Sequence, residues 1–250
     1  MPNQHGAWAM LMVPFIVGAL DAGPSWRHLP LLFAWLAGYF AFFAAGLWLR
    51  SRGKRRYLPA VRAYAVLSVV LGLVVIAVEP DVLLWAVVFL PLLAVSLWCS
   101  WRRLDRSLLN DGVTVLAACL MTVVAAGFGE RVGQPETPSL AGLAWLPGAD
   151  QGRHWVLTGL LLAYFAGTVL YVKAMIRDRG DVGRYRLSVA YHVAVCVPAA
   201  IVSPWLGALF AVFALRAAVV PKCWPGLGAA TIGIGEIVAS LALATMLLLV

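Results

Sequence analysis

The sequence predicts an all-α, polytopic membrane helical bundle of about nine transmembrane helices, and three observations predict it. Of 250 residues, 63% are hydrophobic and 12% charged, at a mean hydropathy of +0.90; soluble domains have about a quarter of their residues charged. Apolar runs recur at lengths suited to a hydrocarbon core, roughly 17 to 25 residues for a helix. Lys and Arg gather in every second connection, as expected of a chain that returns its basic loops to one face.

The first span, at about 6–21, follows an N-terminus without a basic n-region or a small-residue cleavage site, so it reads as a retained helix rather than a signal peptide. Spans follow at about 29–49, 61–78, 82–100 and 112–128. The 129–154 connection is rich in Gly and Pro, and is expected outside the membrane with a short interfacial helix and Trp145 at headgroup level. Spans resume at about 155–175, 187–202, 204–220 and 226–250. The first, seventh and eighth are short and expected to be tilted, broken or shielded; Pro198 and Pro204 are the marks of a broken hairpin.

Six Lys or Arg fall in 50–62, three in 101–110, four in 176–187 and two in 216–222; 21–29, 79–81, 129–154 and 203–204 carry one, none, two and none. That alternation expects a cytoplasmic N-terminus and an external C-terminus in the bacterial cytoplasmic membrane. It also expects one integral domain, 1–250, with a first half at about 1–128, the external loop 129–154 and a second half at about 155–250. The net charge of +8 is confined to short loops, so its partners are read as anionic membrane lipids rather than nucleic acid. Cys99, Cys119, Cys196 and Cys223 lie in or beside apolar runs as small hydrophobes. No Cys-x-x-Cys or His-x-x-His spacing supports zinc or iron–sulfur, and no Walker loop, nucleophile elbow or His-Glu-x-x-His is present. The oligomeric state is left open.

Two turns repeat one another. Residues 50–57 read RSRGKRRY and residues 177–185 read RDRGDVGRY; a shift of 127 residues aligns 50–54 with 177–181 and Tyr64 with Tyr191. Binding sites in membrane proteins built from repeats lie between the halves. Arg50, Arg52, Lys54 and Arg56 of the first turn, with Arg177, Arg179 and Arg184 of the second, are therefore expected to bind an anion or diphosphate. Asp178 and Asp181, three apart, share a face on a helical turn and suit Mg²⁺, a hard cation held by carboxylates and phosphates. Their alternative is local pairing with Arg177, Arg179 or Arg184.

Further polar residues are placed as lining of that pocket: Asn3, His5 and Trp8 at the first span, Asn110 and Asp111 at the fifth, and Tyr185 and His192 at the seventh. Asn110 is also expected to cap its helix, with Asp111 meeting the helix dipole. Arg216 is expected to snorkel from its span end. Glu236 is the carboxylate well inside the last span, and an ionisable residue at such depth is a functional candidate.

The opening PNQHGAWAML, running into VPFIVG at 13–18, resembles the YwiC-like family of bacterial membrane proteins; that resemblance implies a multi-pass membrane protein and carries no activity with it. The 170–181 run, LYVKAMIRDRGD, is more distantly similar to the second Asp-rich motif of the UbiA superfamily of intramembrane prenyltransferases, as is the Pro14 to Gly18 pattern of the first span. This resemblance implies a UbiA-like bundle in two repeated halves and Mg²⁺ at Asp178 and Asp181. It also implies an isoprenoid diphosphate or quinone-type ligand at a cytoplasm-facing site and prenyltransferase-like chemistry. The first Asp-rich motif of that superfamily has no counterpart, since 46–57 contain no carboxylate. The competing class is a transporter or respiratory accessory protein, with Glu236 and His192 as proton-coupled groups.

Overall fold

A computed structural model describes residues 5–130, 143 and 145–250. Among the described residues the chain is all-helical: α1 (His5–Asp21), α2 (His28–Arg50), α3 (Leu58–Val78), α4 (Ala86–Trp101), α5 (Leu108–Ala126), α6 (Gly152–Val172), α7 (Val182–Val202), α8 (Pro204–Cys223) and α9 (Ala229–Leu249). Short 3₁₀ turns precede α3 and α4, and α6 ends in a π turn at Lys173–Arg177. Eight of these helical segments are long and apolar enough to cross a membrane; the apolar part of α1, Trp8–Asp21, is shorter. Helices satisfy their backbone polar groups internally, which hydrocarbon requires.

The apolar exposure fits that solvent. α3 turns Val66, Val69, Val70 and Leu73 outward, and α7 does the same with Val193, Val197 and Ile201. In water such faces mark interaction surfaces or aggregation; in lipid tails they are neutral, so helix contacts rely on close packing of small residues and on polar ties.

Two compact units divide the described chain. One runs from Gly18 to Thr158; the other joins the residues up to Val17 with Gly159–Val250. In the continuous unit α2 packs on α3 and on α4, and α4 on α5. Its core lies along α5, where Val123, Ala125 and Ala126 are fully buried. A Cβ on Gly18 would collide with the Thr122 carbonyl, and one on Gly129 with Ala22, so α1 and the end of α5 meet backbone to backbone. Around that crossing, the buried His28 ring donates from Nε2 to the Ala125 carbonyl at 2.9 Å and accepts the Ser25 N–H at 3.0 Å. Asp21 accepts from Arg153 at 2.8 Å, and His154 donates to the Gly148 carbonyl at 2.8 Å.

In the discontinuous unit α7 packs tightly on α8. Pro198 lies within α7, and Pro204 sits at the first turn of α8 after the extended Ser203. The pair forms a closed hairpin, because proline is tolerated where a helix starts. A Cβ on Gly207 would stand 2.6 Å from Ala200 Cβ, which fixes how closely the two helices approach.

Two helix starts depart from the hydropathy reading because a side chain caps them earlier. α5 begins at Leu108, not 112, because Ser107 is its N-cap and accepts the Asn110 N–H at 3.2 Å. Asn110 is therefore inside the first turn and not the cap. α7 begins at Val182, not 187, because Asp181 caps it. Residues 145–150 form turns, with the Pro147 carbonyl accepting from Trp85 Nε1 at 3.2 Å and Trp145 half-exposed; the interfacial helix expected earlier in this connection falls outside the described residues.

Candidate functional site

The strongest concentration of buried charge lies in the discontinuous unit, on α6, α8 and α9. Helical spacing builds it. Tyr164, Thr168 and Tyr171 stand four and three apart on one face of α6; Phe213 and Arg216 share a face of α8; Glu236 and Ser240 share a face of α9. Glu236 is 2% exposed. Its Oε2 accepts from Thr168 Oγ1 at 2.8 Å and from Tyr164 Oη at 3.1 Å. Ser240 Oγ donates to the Glu236 carbonyl at 2.6 Å, holding the backbone beneath it.

Arg216 Nη1 approaches Glu236 Oε1 at 2.8 Å. The contact is a charge pair without hydrogen-bond alignment: Oε1, and Arg216 Nε and Nη2, have no hydrogen-bond partner among the described residues. The guanidinium lies 4.5 Å from the centre of the Tyr171 ring and 5.8 Å from that of Phe213, over their faces, a cation–π arrangement that strengthens on desolvation. Arg216 thus turns inward rather than snorkelling, with its side chain one-fifth exposed. A buried guanidinium with two unused donor nitrogens beside an aromatic wall suits an anion carried on an apolar body.

His192 is buried on α7. Its Nδ1 donates to the Ser188 carbonyl at 2.7 Å, leaving Nε2 as the lone-pair nitrogen. A Cβ on Gly167 would come within 3.0 Å of that Nε2, so the missing side chain at Gly167 is what admits the imidazole against α6. Tyr191 donates to the Ala163 carbonyl at 3.1 Å on the same contact.

The turn at 177–185 is occupied with local work. The π turn closes through Asp178 N–H to the Lys173 carbonyl at 2.8 Å. Asp178 pairs with Arg184 at 3.5 Å. Asp181 Oδ1 accepts the Gly183 and Arg184 N–H groups at 2.8 and 3.1 Å, an N-cap. Arg179 donates to the Met175 and Leu227 carbonyls at 3.0 and 3.2 Å, tying α6 to the turn before α9. Tyr185 donates to the Ala218 carbonyl at 2.9 Å, with Lys222 Nζ 5.4 Å from its ring centre. Each carboxylate keeps an oxygen that these contacts do not consume, so a cation is not sterically denied, but the pair's primary partners are protein groups. Asp181→Ala is expected to destabilise by about 1 kcal/mol, whereas Asp181→Asn, an equal cap, stays within a few tenths; thermal unfolding in detergent checks both.

The matching turn lies in the continuous unit. Gly53 and Gly180, aligned by the repeat, both take positive φ, 77° and 88°, but Arg52 is also left-handed at 60° whereas its counterpart Arg179 is not, so the two turns share the glycine's conformation and differ around it. Arg50 reaches Asp105 at 3.8 Å, and Arg56 donates to Tyr57 at 2.7 Å. Lys54 caps back through its N–H to Ser51 Oγ at 3.2 Å. Asn110, expected to line the pocket, is buried: it accepts from Ser96 at 2.6 Å and donates to the Asp105 carbonyl at 2.9 Å, joining α4 to the turn that follows it. Asp111 sits in the first turn of α5. Trp8 is half-buried in α1, the backbone of His5 begins that helix, and Asn3 lies outside the described residues.

Sequence reasoning singled out Glu236 and His192 but missed Tyr164, Thr168 and Tyr171, and it gave Arg216 the wrong direction. The signal present was the hydroxyl spacing 164, 168, 171 inside an apolar span, which places three polar tips on one helix face.

A family profile described as YwiC-like protein matches residues 1–126. The uncharacterized protein YwiC of Bacillus subtilis (strain 168) is 30% identical over 249 residues, covering 95% of this chain and 92% of the relative. An uncharacterized protein of Haemophilus influenzae (strain ATCC 51907 / DSM 11121 / KW20 / Rd) is 28% identical over 191 residues, covering 76% of this chain and 73% of its own length. No solved structure matches the chain. With eight membrane-length helices and a relative matched along nearly its whole length, this chain belongs to the YwiC-like family of multi-pass membrane proteins.

Proposed function

We propose that the protein is a membrane carrier for an anionic amphiphile, bound at Arg216 within the discontinuous unit. One observation carries the reading: a buried guanidinium whose only acidic partner, among the described residues, leaves Nε and Nη2 unused. A phosphate or diphosphate oxygen pair fits that edge, while Tyr171 and Phe213 offer the apolar tail an aromatic wall. Glu236 and the ligand then compete for one cation. A proton taken by Glu236 removes the competitor and favours loading; its loss restores the ion pair and favours release. Isoprenoid diphosphates and quinone-type anions belong to the ligand class, and His192 stands on the neighbouring helix as a second proton-accepting group. The cytoplasmic N-terminus and external C-terminus expected from the alternating basic connections would orient the cycle.

The test uses farnesyl diphosphate with the protein in nanodiscs. Arg216→Gln is expected to weaken binding at least tenfold, since a hydrogen bond to a charged group is worth about 1.5–3 kcal/mol. Equal binding by parent and variant contradicts the reading.

A second reading is favoured by the positive φ that Gly53 and Gly180, aligned by the repeat, have in common. In it the two halves form a UbiA-like, cytoplasm-facing, prenyltransferase-like site. Arg50, Arg52, Lys54, Arg56, Arg177, Arg179 and Arg184 would stabilise the diphosphate, and Asp178 and Asp181 would hold Mg²⁺. Asp181→Asn separates the readings: the cap survives, so Mg²⁺-dependent binding lost in that variant supports the metal site, and binding unchanged rejects it.

A further inference from the structure

The described non-glycine residues with positive φ are Arg52 and Arg103, each at 60°. Both hold the position after a helix C-cap. After α2, Arg52 N–H bonds the Leu49 carbonyl at 2.9 Å and Gly53 N–H the Trp48 carbonyl at 3.0 Å; after α4, Arg103 N–H bonds Ser100 at 3.1 Å and Leu104 N–H bonds Cys99 at 2.7 Å. These are paired Schellman closures, in which glycine is the ordinary occupant of the left-handed position because a Cβ is strained there. In this chain arginine stands there twice.

The two turns border one open cleft of about 660 Å³, lined by Trp48, Arg52, Trp101, Arg102, Arg103 and Leu104 among others. None of the three arginine side chains forms an ion pair among the described residues. The neighbouring Asp105 is already engaged, by Ser100 at 2.9 Å and Arg50 at 3.8 Å. Trp101 is 62% exposed, as suits a tryptophan at headgroup depth. Helix C-termini do attract cations, but that preference is met without left-handed backbone and without three cations around one hollow.

We propose that this cleft is a binding site for the headgroup of an anionic phospholipid. Its phosphate is taken by Arg52, Arg102 and Arg103, and its glycerol and upper acyl region lie against Trp48 and Trp101. The site belongs wholly to the continuous unit and does not rest on the Arg216 reading.

The experiment compares thermal unfolding, and lipid retained in native mass spectrometry, for the full chain in phosphatidylglycerol and phosphatidylcholine nanodiscs. A third arm adds inorganic phosphate to the phosphatidylcholine discs. Parent protein is expected to melt higher in phosphatidylglycerol and to retain that lipid, with no effect of inorganic phosphate. Arg102→Gln is expected to weaken the apparent affinity about fivefold, as for one surface cation meeting anionic lipid. Arg103→Gly removes a guanidinium while relaxing its backbone, so it should equal or exceed the parent's stability in phosphatidylcholine yet lose most of the phosphatidylglycerol gain. An undiminished gain in both variants overturns the proposal, as does an equal shift from inorganic phosphate. A lower melting temperature of Arg103→Gly in phosphatidylcholine would show a structural tie and overturn it as well.

Discussion

Arg216→Met is expected to destabilise the protein by about 3–5 kcal/mol, the range for stranding one member of a buried ion pair. Adding Glu236→Leu should restore most of that loss. The stranded carboxylate is the reason. Glu236 would keep Thr168 and Tyr164 as donors but lose the cation at Oε1, in a site 2% exposed. Removing both charges abolishes the penalty. Of the donors left behind, Tyr164 has somewhere to turn, since its Oη already stands 3.2 Å from the Glu236 carbonyl. Reversible unfolding of the parent, both single variants and the double variant gives the coupling energy. A double variant as unstable as the sum of the singles would show that the charges are not energetically joined. A recovered double variant that no longer binds farnesyl diphosphate would separate the pair's role in binding from its role in folding.

Gly18→Ala is expected to cost about 3 kcal/mol, the upper part of the overpacking range. The added methyl would meet the Thr122 carbonyl, its carbon and Cα, all backbone atoms of α5. A side chain in the way can change rotamer; a helical carbonyl can move only if α1 or α5 shifts bodily. Gly38, with nothing near its missing Cβ, is the matched control, and Gly38→Ala in the interior of α2 should be neutral or mildly stabilising because alanine is the better helix former. Thermal unfolding of the two variants in one detergent checks the contrast. Equal behaviour would mean that the α1–α5 crossing is looser than its geometry.

Much of this fold was legible because hydrocarbon demands long helices, and the apolar runs mark them within a few residues. The misplaced ends share a cause. Hydropathy assigns Arg184 and Arg186 to a loop, yet the Asp181 cap draws both into α7. In the same way Ser107, not Asn110, starts α5, because a side-chain oxygen two or three residues before an N–H decides where a helix begins. The site was less legible for a different reason. An arginine near a span end is read as reaching for the headgroups; whether it turns inward depends on a carboxylate 20 residues on, in another helix. Glu236 could be recognised by its isolation in an apolar run, but its partners on α6 become visible only once the helices are paired. The two aspartates of the second basic turn carried a metal-like spacing that the local backbone also requires, as a cap and as an ion pair.

In the proposed carrier, Glu236 and an anionic ligand compete for Arg216. The direct measurement is the affinity of Glu236→Gln for farnesyl diphosphate in nanodiscs, at the same pH and salt as the parent. Removing the competing charge while keeping the shape of the side chain should tighten binding by about tenfold or more, by the same charge-assisted range, and the ligand should raise the variant's melting temperature more than the parent's. Affinity that is unchanged or weaker in Glu236→Gln would contradict competition between the carboxylate and the ligand.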